Sequence, residues 1–85
     1  MYTVLIVEDE DIIRRGIRNS VPWETFGCTV VGEARNGEEG AALIEQLTPD
    51  IVITDINMPV VDGLQMLSQT KEAFDYVAII LTGYS

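Results

Sequence analysis

The chain has 85 residues, 14 acidic and 5 basic, for a formal net charge of −9, and 47% of it is hydrophobic. That is one small domain with enough apolar residues for a packed core, which excludes a disordered tail. The negative field opposes binding of nucleic-acid phosphates by this stretch and favours divalent cations or a basic partner.

No apolar run approaches the roughly 20 residues that cross a bilayer, so no membrane contact is expected. The N-terminus enters a strand almost at once, without the basic and apolar regions of a signal peptide. The single cysteine, Cys28, excludes an intrachain disulfide and fits a reducing, cytoplasmic compartment. With no second cysteine and no histidine in the chain, it reads as a buried structural thiol.

A first apolar run over 3–7, ending Val4-Leu5-Ile6-Val7, leads straight into Glu8-Asp9. Ile13, Ile17 and Val21 recur every four residues as the buried stripe of a first helix. Arg14, Arg15 and Arg18 fall largely on its other faces, and Pro22 ends it. Trp23 follows as a packing cap. A second strand spans 28–34. Asn36 then N-caps a helix whose first turn carries Glu38 and Glu39, with Gly40, Leu43, Ile44 and Leu47 facing inward. Pro49 closes that pattern. Ile51-Val52-Ile53-Thr54 forms a third strand leading into Asp55. The turn signal Asp62-Gly63 opens a third helix with the stripe Leu64, Leu67, Lys71 and Phe74, while Met58 and Met66 read as packing residues. The fourth strand, 77–82, ends at Thr82.

Most of these strands are continuously apolar, the mark of burial on both faces of a parallel sheet. The order βαβαβαβ therefore predicts a doubly wound α/β sheet with right-handed crossovers. No covering helix follows the fourth strand before Ser85, so the chain reads as a fragment, truncated after that strand. Strand 77–82 is apolar at nearly every position, and self-association through its exposed edge is expected of the chain alone.

In a parallel sheet all strand C-terminal ends share one edge, where ligand crevices form. Glu8, Asp9 and Asp55 converge there if the first and third strands are neighbours. Three adjacent carboxylates repel and raise at least one pKa unless a cation intervenes. All-oxygen ligands with room for water suit Mg²⁺ or Mn²⁺. A plainer alternative is that the acids only cap the following helix. A strand-end carboxylate beside such a metal can also attack phosphorus and hold an acyl phosphate. Pro59 and Gly63 stiffen and turn the loop after Asp55, letting a backbone carbonyl near Asn57 face the metal.

Four motifs, VLIVEDE at 4–10, NGEEGAALI at 36–44, PDIVITDINMPVVDGL at 49–64 and AIILTGYS at 78–85, resemble the receiver domain of two-component response regulators. The resemblance implies a flavodoxin-like (CheY-like) fold with strand order 2-1-3-4, and a partial receiver over 1–85. It implies that Asp55 is the phosphoacceptor, served by a sensor histidine kinase. Glu8 and Asp9 become the acidic pair that holds Mg²⁺, the Asn57 backbone carbonyl completes the metal site, and Thr82 is the hydroxyl that turns toward the phosphoryl group, with Gly83 beside it. The pair here is Glu-Asp rather than the commoner Asp-Asp, so the longer Glu8 is expected to act through water. DIIRRGI at 11–17 and PWETFGCTVVGEA at 22–34 further resemble receivers joined to AraC-type DNA-binding output domains. The family's fifth-strand Lys and aromatic switch residue lie beyond Ser85. Lys71 sits too far along the third helix to replace that Lys, and Arg35, on the correct edge, has no motif support.

Two rivals stand beside this reading. An aspartyl-phosphate phosphatase resembling the haloacid dehalogenase type wants a second Asp two residues after Asp55, where Asn57 stands. The chain is accordingly read as no enzyme: it would catalyse its own phosphorylation and turn over no free substrate. A pseudo-receiver used only for interaction would keep the fold without accepting phosphate.

Overall fold

The computed structural model describes residues 1–55 and 62–81. The elements are β1 (Tyr2–Val7), α1 (Asp11–Ser20), a 3-10 turn (Trp23–Phe26), β2 (Cys28–Ala34), α2 (Gly37–Leu47), β3 (Ile51–Asp55), α3 (Gly63–Thr70) and β4 (Val77–Leu81). The sheet order is β2-β1-β3-β4, as the family resemblance implies, and every pair is parallel, as the apolar runs predict.

Side chains alternate across the sheet and divide the core into two layers. Val4, Ile6, Cys28 and Ile53 face α1, where Ile17 and Trp23 cover them. Leu5, Val7, Ala34 and Val52 face the other way and meet Ile44 and Met66 from α2 and α3, with Tyr76 alongside. Gly40 marks a close approach in that second layer, because a Cβ there would overlap Met66 Sδ and crowd Val7.

Helix starts follow the expected chemistry. The Asn36 side chain accepts the Glu39 N–H at 2.8 Å, and Asp62 accepts the Gln65 N–H at 2.8 Å. Trp23 is half-buried over the α1 layer, its Nε1 donating to the Arg18 carbonyl at 3.0 Å. Gly27, at φ 70°, closes the 3-10 turn in a left-handed conformation that disfavours a side chain.

Two expectations about the helices are corrected. In α1 the buried residue is Arg14, not Ile13, which is exposed. An arginine is tolerated there because hydrogen-bond acceptors meet its guanidinium. In α3 the helix ends at Thr70, so Lys71 and Phe74 lie past it; Met66 and Thr70 are buried while Leu64 is exposed. The Thr70 hydroxyl lies 2.6 Å from the Tyr76 hydroxyl and donates to the Met66 carbonyl at 2.9 Å, which turns the inward face toward Tyr76. In the sheet, β2 carries an irregularity: Val4 pairs with Val30 but Leu5 with Gly32, leaving Val31 as an extra residue.

Candidate metal centre

The register Val7↔Thr54 sets the residues that follow, Glu8 and Asp55, side by side at the C-terminal edge of the sheet. Asp9 is the next residue after Glu8. One carboxylate oxygen from each of Glu8, Asp9 and Asp55 lies within 4.8 Å of the other two. Sequence reasoning placed these three acids together, and the sheet order brings them together. Asn57, Met58, Pro59, Thr82 and Gly83 lie outside the described residues.

Glu8 is the buried member, 3% exposed, whereas Asp9 and Asp55 are half-buried. Its backbone N–H donates to the Ala34 carbonyl at 3.0 Å, and its carboxylate accepts the Glu10 N–H at 3.0 Å. Burial pushes the Glu8 carboxyl up to about 7; a hydrogen bond with Asp9 and the negative charges of Asp55 and Asp9 act in the same direction, and the Glu10 N–H opposes them. A proton on Glu8 thus relieves the crowding of acids when no cation does.

The donor set fits a hard divalent cation. All three groups are carboxylates, and no nitrogen or sulfur ligand joins this group among the described residues. Few protein carboxylates, with Glu8 expected to act through water, would leave room around such a cation for water or a phosphoryl oxygen.

Sequence reasoning missed Arg14. Its Nη1 donates to the Glu8 carbonyl at 2.9 Å, its Nε to Glu33 at 3.3 Å and its Nη2 to Asp11, while Arg18 also pairs with Glu33. The available signal was Glu33, an acid inside a strand that is otherwise free of charge and that needs a buried or half-buried partner.

Residues 4–85 match the family model described as the response regulator receiver domain. The chain belongs to that family. It is 44% identical over 84 residues to the response regulatory protein SERP2406 of Staphylococcus epidermidis, covering 99% of this chain and 33% of that one. It is 38% identical over 85 residues to the transcriptional regulatory protein YesN of Bacillus subtilis, covering 99% of this chain and 23% of that one. The solved structure of the REC domain of AraT, a response regulator from Geobacillus stearothermophilus, superposes with a TM-score of 0.93 at 40% identity, over 98% of this chain and 65% of that one. The receiver chain therefore spans a third or less of these curated relatives. Its sheet order and flanking helices are those of the flavodoxin-like α/β receiver fold.

Proposed function

We propose that this receiver takes a phosphoryl group on Asp55 from the phosphohistidine of a sensor kinase and thereby controls an output domain elsewhere in the same protein. The observation that carries the reading is the meeting of Asp55 with Glu8 and Asp9 within 4.8 Å at the strand-end edge. An Asp55 oxygen attacks phosphorus as the P–N bond of the donor breaks. That electron pair stays on the imidazole nitrogen, which is protonated from solvent, and an acyl phosphate remains.

Glu8, Asp9 and Asp55, with the Asn57 carbonyl, would hold Mg²⁺. When bound, the cation offsets charge on the transferring phosphoryl group. A cation held beside Glu8, reached through water, would favour its carboxylate form, so cation binding and proton release would be linked at this edge. Glu8 reaches the centre from a buried position, and Asp9 and Asp55 reach it from half-buried ones. Thr82 is assigned the hydroxyl that senses the phosphoryl group.

Naming of YesN as a transcriptional regulatory protein supports a DNA-binding output, and the AraC-like motifs in residues 11–34 favour that output class. No helix among the described residues is long and apolar enough to cross a membrane; a cytoplasmic location is part of the proposal. The domain turns over no free substrate in this reading.

The test is chemical labelling of the intact protein with acetyl phosphate and Mg²⁺. An acid-stable, base-labile label should form and disappear in Asp55→Asn. A label that persists in that variant removes Asp55 as acceptor.

A further inference from the structure

We propose that Arg14 is a positioning residue for the acidic centre: its guanidinium fixes where the Glu8 carboxylate lies by holding the Glu8 main chain. The inference rests on the reading of Glu8, Asp9 and Asp55 as a divalent-cation site.

Glu8 sits one residue past the end of β1, where strand pairing no longer fixes the chain. Its N–H is still tied to β2 through the Ala34 carbonyl. Its carbonyl is held from the opposite element, by Arg14 Nη1 at 2.9 Å. Arg14 is itself immobilised. It is 7% exposed, its own N–H donates to the Glu10 carbonyl in the first turn of α1, and its other guanidinium nitrogens meet Glu33 and Asp11. One planar group therefore joins the end of β1, the start of α1 and the end of β2. Only a guanidinium offers donors in so many fixed directions, whereas a lysine ammonium is a point charge on a flexible stem.

The remaining polar atoms of Glu8 belong to its side chain, which accepts the Glu10 N–H. With both main-chain groups and one carboxylate oxygen anchored, the Glu8 carboxylate keeps a defined place within 4.8 Å of the Asp9 and Asp55 carboxylates. Without Arg14 the peptide after Glu8 is free to rotate, and the carboxylate loses its register with the other two.

Charge and position make opposite predictions, which separates them. A guanidinium acting only by its field repels a divalent cation, so removing it should tighten Mg²⁺ binding. A guanidinium that positions Glu8 should weaken binding when removed, although the repulsion is relieved.

Titrate Mg²⁺ into the intact protein, following backbone amide and Glu8 carboxyl NMR shifts, and measure urea unfolding of every variant in parallel. Arg14→Lys, which keeps the charge and loses the fork, should weaken Mg²⁺ binding roughly tenfold, the usual cost of losing a group that orients a metal ligand. Arg14→Met should weaken it similarly. Arg18→Met, which removes an exposed charge that touches Glu33 but not Glu8, should stay within about twofold of wild type. If Arg14→Lys binds like wild type while its stability falls, Arg14 is merely structural and the inference is overturned; tighter binding by Arg14→Met overturns it as well. Should Arg14→Met not fold, Arg14→Lys decides alone. Wild-type protein that binds no Mg²⁺ would instead sink the reading of the site, and this inference with it.

Discussion

Asp50 and Thr3, 47 residues apart, form a reciprocal pair at the N-terminal edge of the sheet. One Asp50 carboxylate oxygen accepts the Thr3 N–H at 2.8 Å and the Thr3 hydroxyl at 3.2 Å, while the Asp50 N–H reaches both Thr3 oxygens at 3.0 Å. The pair ties the start of β1 to the start of β3, at the edge opposite the acidic centre. Asp50→Ala should therefore lower stability by about 1–2 kcal/mol in urea unfolding and leave Mg²⁺ affinity unchanged. An unaltered midpoint would mean that solvent replaces the carboxylate at no cost.

The Glu8 carboxyl makes stability depend on pH with a definite sign. Its folded value, about 7, lies above the ordinary 4.5, so the folded state binds more protons between those limits. Stability is then full below about 4.5 and declines as pH rises through about 7, by up to roughly 3 kcal/mol. The chain has no histidine to titrate in this window. Asp11, held low by the Arg14 side chain, and Glu39, held low by the Arg35 backbone N–H and side chain, act at more acid pH. Unfolding midpoints measured from pH 4 to 8 without divalent cations should show this decline. Glu8→Gln should flatten it, and millimolar Mg²⁺ should restore stability at the alkaline end. A wild-type profile as flat as that of Glu8→Gln would contradict the assignment.

Two glycines in helices should respond to alanine in opposite ways. Gly16, on the solvent side of α1, has open space where a Cβ would go, so Gly16→Ala should gain roughly 1 kcal/mol from helix propensity. Gly40 in α2 has Met66 and Val7 in that space, and Gly40→Ala should cost about 1–3 kcal/mol through overpacking. Combining it with Met66→Ala should give a smaller loss than the two single losses added together. Thermal melts of the variants decide the signs, and a stabilised Gly40→Ala would show that Met66 swings aside freely.

For the 85-residue chain produced alone, mass should rise with concentration. β4 is an edge strand, and Val77, Ile79 and Ile80 are exposed, the latter two on opposite faces. Pairing of β4 with β4 of a second copy covers both its outer hydrogen-bonding groups and part of this apolar surface. Light scattering over a range of concentrations tests this. Ile79→Lys should return the chain toward a monomer, and a wild-type mass that stays monomeric throughout would count against pairing.

Strand identity was legible because most runs, such as Val4–Val7 and Ile51–Thr54, are continuously apolar, whereas the strand order was legible only through the family resemblance. The meeting of Glu8, Asp9 and Asp55 followed from that order. Burial of Arg14 was not legible, because helical periodicity counts apolar residues, and this site is buried through hydrogen bonds supplied by Glu33 and Glu8 from other elements. The end of α3 was misread for a related reason. Lys71 and Phe74 continue the spacing of Leu64 and Leu67, yet the Thr70–Tyr76 hydroxyl contact fixes a different inward face. Tyr76, a core residue just before β4, carried no periodic signal of its own.

The extra residue Val31 decides which layer reads Glu33. Ahead of it, Cys28 and Val30 point toward α1; beyond it, Gly32 and Ala34 lie against the α2 layer and Glu33 is turned to Arg14 and Arg18. Were Val31 instead taken into regular alternation with β1, even-numbered and odd-numbered positions would exchange sides downstream. Glu33 would then be thrust among Leu43 and Leu47, and the guanidinium behind Glu8 would face a glycine. The extra residue thus decides what faces Arg14, and through Arg14 it reaches the acidic centre with none of that centre's own residues altered.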